Sequence, residues 1–341
     1  MTILVTGGAG FIGSEFIRQV CATTVGHTLI NLDALTYAGN VSNLAGLTAP
    51  RYTFVHGDVC DAATLDRVFT TYTPDLVVHF AAESHVDRSI LDARDAMQTN
   101  ILGTVALLEA VRRHPVRRLV AVSTDEVYGD IPIGLFSVET DPLHPSSPYA
   151  ASKAAADLLC LAYRRTYGVP VVITRGANTY GPHQYPEKLI PLMITRLLAG
   201  QPLPVYGDGT QVRDWLHVAD HCRAILGVLL APGDIDDIYN IPGHTQLPNN
   251  DLIQQLITTV RTHVDPDVRA TITRVTDRPG HDYRYAMSGR RLQRICGTPV
   301  PVPLTEGLIE TVLWYARQPP RMETPQRRGM SEQDGDYGVP V

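Results

Sequence analysis

Tyr149 and Lys153 stand four positions apart in SPYAASKAAADLL (147–159), a run that reads as helix, so the two side chains share one face. A free tyrosine has a pKa of about 10 and is a poor base at neutral pH. A neighbouring ammonium, helped by an oxidised nicotinamide, lowers that value and lets the pair take a proton from a hydroxyl. The chain otherwise avoids lysine: of 29 basic residues, 27 are arginine and the two lysines are Lys153 and Lys188. A second cluster, Ser123-Thr124-Asp125-Glu126, ends an apolar run at 118–123. Two adjacent carboxylates can divide labour, since burial and a like charge raise one pKa and leave one acid and one base. For an aspartic acid to stay protonated near pH 7, its surroundings must supply about 4 kcal/mol. The two titrations are coupled, so spacing leaves open which is the acid. Alone, an Asp-Glu pair reads as a solvated acidic turn; here it lies at the end of a strand, where sheets of this kind bind ligands.

These residues need a redox partner, and the N-terminus offers one. Gly7-Gly8-Ala9-Gly10-Phe11-Ile12-Gly13 joins the first apolar run to the first helical run. Glycines at 7, 10 and 13 allow a tight turn, close approach of backbone to a pyrophosphate, and close helix–strand packing. The helix start then offers free N–H groups and partial positive charge to phosphates. Asp33 ends the second strand, 20 residues past Gly13, where a carboxylate would hold the adenine-ribose hydroxyls and repel a 2′-phosphate. The expected cofactor is NAD rather than NADP. With it, Tyr149 and Lys153 would deprotonate a sugar hydroxyl as hydride leaves. An additional acid and base imply more than alcohol oxidation. Oxidation at carbon 4 acidifies the carbon-5 proton, so a base can remove it while an acid expels the carbon-6 hydroxyl as water. The stored hydride can then return to carbon 6.

The elements that must position these groups alternate. Strands are expected at 3–6, 28–32, 52–56, 76–80, 118–123 and 169–174, with helices at 14–21, 62–72, 96–113 and 149–167 between them. Apolar strands alternating with helices predict an α/β fold: a doubly wound parallel sheet of Rossmann type, covered on both faces. After Arg175 the pattern loosens, with helices expected at 189–198, 217–230, 251–263 and 305–317. The 341 residues, 44% hydrophobic and 19% charged, suffice for two joined parts with packed cores and exclude global disorder. A net charge of −6 without a long basic run argues against a general nucleic-acid or membrane-surface binder. No run of about 18 apolar residues is present, and no charged-then-apolar leader opens the chain, so a cytoplasmic protein is expected. Cys21, Cys60, Cys160, Cys222 and Cys296 are widely spaced without metal-ligand pairing, as reduced thiols would be. The polar segment from Gln318 onward reads as a mobile tail.

Further motifs run in order along the chain: LDALTYAGN (32–40), HFAAESHVDRSI (79–90), STDEVYGD (123–130), NTYGPHQYPEKLIP (178–191), GDGTQVRDWLHVADH (207–221) and DRPGHDYRYA (277–286). With GGAGFIG (7–13) and the Tyr149–Lys153 run, they resemble the extended short-chain dehydrogenase/reductases and, within them, the nucleotide-sugar 4,6-dehydratases, over residues 1 to about 317. The resemblance implies an NAD-dependent hydro-lyase of deoxysugar biosynthesis. NAD would be tightly bound and regenerated each turnover, and the substrate a nucleotide-diphosphate hexose, dTDP-glucose or UDP-glucose. It implies Tyr149 as base at the carbon-4 hydroxyl, supported by Lys153 and Thr124, with Asp125 as acid and Glu126 as base for dehydration. Cofactor contacts are implied at Gly7, Gly10, Phe11, Ile12, Gly13, Asp33, Leu35, Thr36, Asp58, Val59, Phe80, Ala81, Ala82, Ser84, Thr99, Tyr149, Lys153 and Thr179. Substrate contacts are implied at Ser84, Thr124, Asn178, Lys188, Leu189, Pro204, Tyr206, Arg213, Asn249, Arg278 and His281. Of these, Lys188, Arg213 and Arg278 suit a pyrophosphate, which arginine can grip with two hydrogen bonds.

The expected division is a cofactor-binding part, 1–177 with 212–242, and a smaller C-terminal α/β sugar-nucleotide part, 178–211 with 243–317. Relatives on this fold pair through two long helices, here 96–113 and 149–167, so a homodimer is expected. Three positions depart from the family pattern: Thr179 stands where a second asparagine is common, Pro242-Gly243-His244-Thr245-Gln246 replaces a Gly-Gly-His-Asn-Glu type segment, and Ser288 stands where aspartate is common. Two rival readings share the Tyr-Lys pair: a nucleotide-sugar 4-epimerase and a UDP-glucuronate decarboxylase. Neither needs Asp125 and Glu126 together as an elimination pair. A non-catalytic NAD-responsive binding protein would need none of the five side chains.

Overall fold

The structure is a computed structural model that describes residues 1–23, 26–47, 51–297 and 300–318. The tail expected from Gln318 onward therefore lies, beyond its first residue, outside the described residues. The strands are β1 (Thr2–Thr6), β2 (Thr28–Asp33), β3 (Tyr52–His56), β4 (Leu76–His79), β5 (Arg118–Thr124), β6 (Val171–Gly176), β7 (Asn178–Tyr180), β8 (Leu203–Tyr206), β9 (Val212–His217), β10 (Ile238–Ile241), β11 (Gln246–Pro248) and β12 (Ile272–Val275). The helices are α1 (Phe11–Thr23), α2 (Ala62–Tyr72), α3 (Val86–Leu91), α4 (Arg94–Ala96), α5 (Thr104–Arg113), α6 (Pro148–Tyr167), α7 (Leu189–Leu198), α8 (Val218–Leu230), α9 (Asn249–His263), α10 (Arg290–Cys296) and α11 (Leu304–Ala316).

Seven strands form one parallel sheet in the order β10-β6-β5-β4-β1-β2-β3. Alternate residues of β1 face opposite layers: Ile3 and Val5 pack with α1 and α8, and Leu4 packs with α2 and α5. Both faces are thus covered, which is why the strands read as continuous apolar runs. The chain winds outward from β1 through β2 to β3, then returns to β4 and winds the other way. The crevice between the carboxyl ends of β1 and β4 is the point where such sheets bind ligands.

The long helix expected at 96–113 is interrupted. After α4 the backbone makes a π-helical stretch, Met97–Gly103, before α5 resumes. The stretch carries Asn100, buried to 1% exposure. Its amide accepts the Glu83 N–H at 2.9 Å and donates to the Glu83 carbonyl at 2.9 Å and to Ser152 Oγ at 2.8 Å. Those bonds compensate the looser backbone ladder and tie the loop after β4 to α6.

The remaining strands make a three-stranded sheet, β11-β9-β7, and a two-stranded one, β12-β8. A third core, with Met193, Leu197, Leu203, Leu256 and Val312 fully buried, joins α7, α9 and α11 to them. The boundary expected at 212 needs moving: residues 212–217 are β9, hydrogen-bonded to β7 and β11 rather than to the large sheet. The chain returns to the large sheet with α8, which packs on α1, and β10, which pairs with β6. Strand β10 is four residues long and was not anticipated, because so short an apolar run resembles any buried loop. Among the described residues no helix is long and apolar enough to cross a membrane.

Candidate active site

The glycine turn does what its spacing requires. Gly7 has φ +73°, and a Cβ there would stand 2.5 Å from the Ala81 nitrogen, so the end of β1 can pass close to the end of β4. A Cβ on Gly13 would collide with the Gly7 carbonyl oxygen, so α1 can start tight against the turn. Asp33 ends β2 with its carboxylate accepting N–H groups of Ala9 and Leu35, both at 2.8 Å. Burial pushes its pKa up and those two bonds pull it down. Each oxygen keeps a further lone pair for a ribose hydroxyl.

One cleft collects the residues expected to hold the cofactor, from Gly7, Gly10, Phe11, Ile12 and Gly13 through Asp33, Thr36, Asp58, Val59, Phe80, Ala81, Ala82, Ser84 and Thr99 to Tyr149, Lys153 and Thr179. Leu35 is the exception: it turns at φ +51° and does not line the cleft. A backbone cradle that any Cβ would fill, followed by a helix start, fits a dinucleotide pyrophosphate. Buried Ser123 Oγ, Asn178 Oδ1 and His221 Nε2, all without protein partners, line the same cleft and can take polar groups of a ligand.

Thr124 closes β5, and its hydroxyl caps the short 3₁₀ turn Asp125–Tyr128 by accepting the Glu126 N–H at 3.3 Å. Asp125 is buried, its Oδ1 3.2 Å from Thr124 Oγ1 and its Oδ2 without a partner. Burial, then the charges of Glu126 and Asp214, push its pKa well above the usual carboxylate range against Arg213. Burial also raises Glu126, but three cations, Arg278, Lys188 and Arg213, oppose the shift. The pair adjacent in sequence is therefore unequal in surroundings.

Tyr149 sits in the first turn of α6, capped by Ser147, and its N–H donates to Ser89 Oγ at 3.0 Å. Lys153 follows one turn later, its Nζ donating to the Val122 carbonyl at 2.7 Å. Without the charge of a nicotinamide, the protein's own groups shift the Tyr149 pKa upward. Burial, Glu126 and Asp125 push it up, against a hydrogen bond with Thr124. Lys153 itself is pulled down by burial, against the charge of Asp157. Two nearby carboxylates and a dry setting outweigh one cation already engaged by a carbonyl.

The expected substrate residues divide. Ser84, Thr124, Asn178 and Lys188 line the cleft. Leu189, Pro204, Tyr206, Arg213, Asn249, Arg278 and His281 do not, and several form a cluster beyond it. There Tyr206 Oη donates to Asp87 at 3.2 Å, Arg278 pairs with Asp87 at 3.5 Å, and His281 Nδ1 lies 2.6 Å from Asp277. The buried Nε of Arg278 has no partner and can serve a phosphate oxygen. Arg213 donates to the carbonyls of Val212, Asp282 and Tyr283 through Nη1 and Nη2 and stacks 4.3 Å from the Tyr285 ring.

Sequence reasoning missed several neighbours of this site. Asn100 gave no signal, since its contacts lie 17 and 52 positions away. Glu187, beside Lys188 in a quoted motif, and His221, closing another, could have been found there. His221 Nδ1 lies 2.8 Å from Thr179 Oγ1, which donates to the Ala177 carbonyl at 3.0 Å. The departure at 179 is thus a hydroxyl on β7 that joins the link between β6 and β7 to α8.

A family model described as GDP-mannose 4,6 dehydratase matches residues 4–310. The chain is 50% identical over 320 residues to dTDP-glucose 4,6-dehydratase of Streptomyces niveus, covering 92% of this chain and 93% of that protein. It is 48% identical to the enzyme of the same name from Neisseria meningitidis, covering 92% of both. Among solved structures, DesIV, the dTDP-glucose 4,6-dehydratase of Streptomyces venezuelae crystallised with NAD, superposes with a TM-score of 0.86 at 50% identity, covering 92% of this chain and 97% of that one. A Thermus thermophilus UDP-glucose 4-epimerase in complex with NAD superposes with a TM-score of 0.83 at 31% identity, covering 92% and 99%.

Proposed function

The chain belongs to the nucleotide-sugar 4,6-dehydratase family, and on that premise we propose that it converts dTDP-glucose to the 4-keto-6-deoxy sugar nucleotide and water. The glycine turn and Asp33 would hold NAD, which would supply the hydride acceptor for carbon 4 and the hydride donor for carbon 6. Tyr149 takes the carbon-4 hydroxyl proton, with the Thr124 hydroxyl as its hydrogen-bond partner and Lys153 as the nearby cation. The positive charge of an oxidised nicotinamide would offset the burial and the Glu126 charge that raise this phenol.

The observation that carries the reading is the inequality of Asp125 and Glu126. Asp125 keeps its proton and gives it to the carbon-6 hydroxyl, which leaves as water. Glu126, held nearer the charged form by three cations, takes the carbon-5 proton. This inequality supports Asp125 as the acid and Glu126 as the base. An epimerase needs no such pair, and the epimerase similarity is at lower identity than that to the dehydratases. Lys188 and Arg278 hold the diphosphate.

In this reading residues 1–177 with 218–242 bind the cofactor, and 178–217 with 243–317 bind the sugar nucleotide. The protein works in the cytoplasm as a homodimer, its partner covering Leu102 and Leu158, which are 53% and 59% exposed on the two long helical runs. Sedimentation equilibrium tests the dimer, and a monomer would refute it. Incubation with dTDP-glucose and UDP-glucose side by side tests the reaction: the accepted substrate loses the mass of one water, and an unchanged mass with both would refute the reading.

A further inference from the structure

We propose that Tyr37 is the centre of a proton-holding bridge, Glu187–Tyr37–Glu83, that fastens the loop carrying Lys188 to the cofactor-binding half and so positions Lys188 at the cleft. Tyr37 Oη lies 2.9 Å from Glu83 Oε1 and 3.0 Å from Glu187 Oε1. Both are hydrogen-bond lengths, yet a phenol has one proton and an ionised carboxylate has none. With two carboxylates, one contact would set bare oxygen against bare oxygen in a half-buried site. The bridge therefore holds one more proton.

Its place follows from the neighbours. Glu83 Oε1 also accepts the His85 N–H at 3.1 Å, so Glu83 is the terminal acceptor. The extra proton sits on Glu187, and the chain runs from the Glu187 carboxyl to the Tyr37 oxygen and from the Tyr37 O–H to Glu83. The groups facing Glu187 agree. His85 Nε2 lies 3.3 Å from Glu187 Oε2, but burial and then Lys188 lower the His85 pKa to about 4, so this contact is not an ion pair at neutral pH. His85 Nδ1 accepts the Arg88 N–H, which leaves the ring's single proton on Nε2, pointing at Glu187. Arg88 Nη2 stands 3.6 Å from Glu187 while its guanidinium lies 3.8 Å over the Tyr37 ring. Arg88, the adjacent Lys188 and the Tyr37 bond favour the charged form; burial and the Glu83 charge oppose them and prevail.

The bridge spans 46 residues on one side and 150 on the other. Tyr185 packs edge-on against Tyr37 at 5.4 Å, and Lys188 Nζ donates to the Ser84 carbonyl at 2.5 Å, so the loop carrying Lys188 meets both the loop after β2 and the loop after β4. Glu83 is in turn held by Asn100 through both of its backbone groups. Only the role of Lys188 rests on the reaction proposed above; the bridge itself does not.

Two measurements test it separately. Infrared difference spectra at pH 7.5, parent minus Glu187→Gln, should contain a protonated-carboxyl C=O band. Its absence would overturn the extra proton whatever reaction the enzyme performs. In Tyr37→Phe, the KM for dTDP-glucose should rise roughly tenfold with kcat within about threefold, as loss of a buried hydrogen bond implies. The parent KM should also rise at alkaline pH as Glu187 loses its proton, and Glu187→Gln, whose amide N–H can still donate to Tyr37, should abolish that rise. A Tyr37→Phe enzyme with the parent's KM and KM–pH profile would overturn the positioning role. Failure of the proposed reaction would instead show as absence of dehydration in the parent.

Discussion

Asp125 and Glu126 share one short turn, but their neighbours differ: Asp214 adds negative charge near Asp125, whereas Arg278, Lys188 and Arg213 surround Glu126. The double variant Asp125→Asn/Glu126→Gln should retain hydride removal from carbon 4 and lose water elimination. Each lost proton transfer should cost about 10²–10⁴ in rate. Normal 6-deoxy product from that variant, read by mass, would refute the assignment. The same shift has a consequence for stability. The folded pKa of Asp125 lies above its unfolded value, so the folded state binds the proton more tightly. Its favourable contribution is present at low pH and is lost as pH rises from the ordinary aspartate range through the raised value. Asp125→Asn removes that loss, so its Tm at pH 8 should exceed the parent's by about 1–2 °C per kcal/mol relieved. A lower Tm at pH 8 than the parent would contradict the raised value. Residue types and spacing were enough to find Tyr149, Lys153, Asp125 and Glu126. The direction of the Tyr149 shift was not legible, because it depends on which charges and how much water lie nearby, and spacing carries neither.

At the scale of elements, strands β1 to β6 and helices α1, α2 and α6 were read from apolar runs and periodicity to within about three residues, whereas α3 and the break before α5 were not. What escaped has a common cause: it depends on contacts far away in sequence. The π-helical stretch exists because Asn100 reaches Glu83 and Ser152, and β10 because β6 leaves an edge for it. Arg213 has the right type for a phosphate, but its bonds to the Tyr283 and Asp282 carbonyls join positions 70 and 69 apart. The glycine turn was fully legible, since positive φ and close approach leave no other residue type. Gly13→Ala should push α1 away from the turn and weaken NAD binding at least tenfold, measured by calorimetry on the cofactor-stripped protein. Unchanged affinity would mean that the helix start does not hold the pyrophosphate.

The molecule as a whole places its chemistry at one edge. The parallel sheet reverses its winding between β1 and β4, and β5, β6 and α6 bring the acid, the base and the phenol to the same side. The second half closes over that edge with Lys188 on the loop before α7. The half-to-half seam was the least legible feature, since residues 212–217 look like a continuation of the first half and pair with the second. The claim that unites these scales is an internal redox cycle coupled to loss of water. Substrate carrying deuterium on carbon 4 tests it most directly, with the product analysed by NMR. The account predicts the label on carbon 6 and, in deuterated water, solvent deuterium at carbon 5. Label returned to carbon 4 with the carbon-6 oxygen still in place would contradict it.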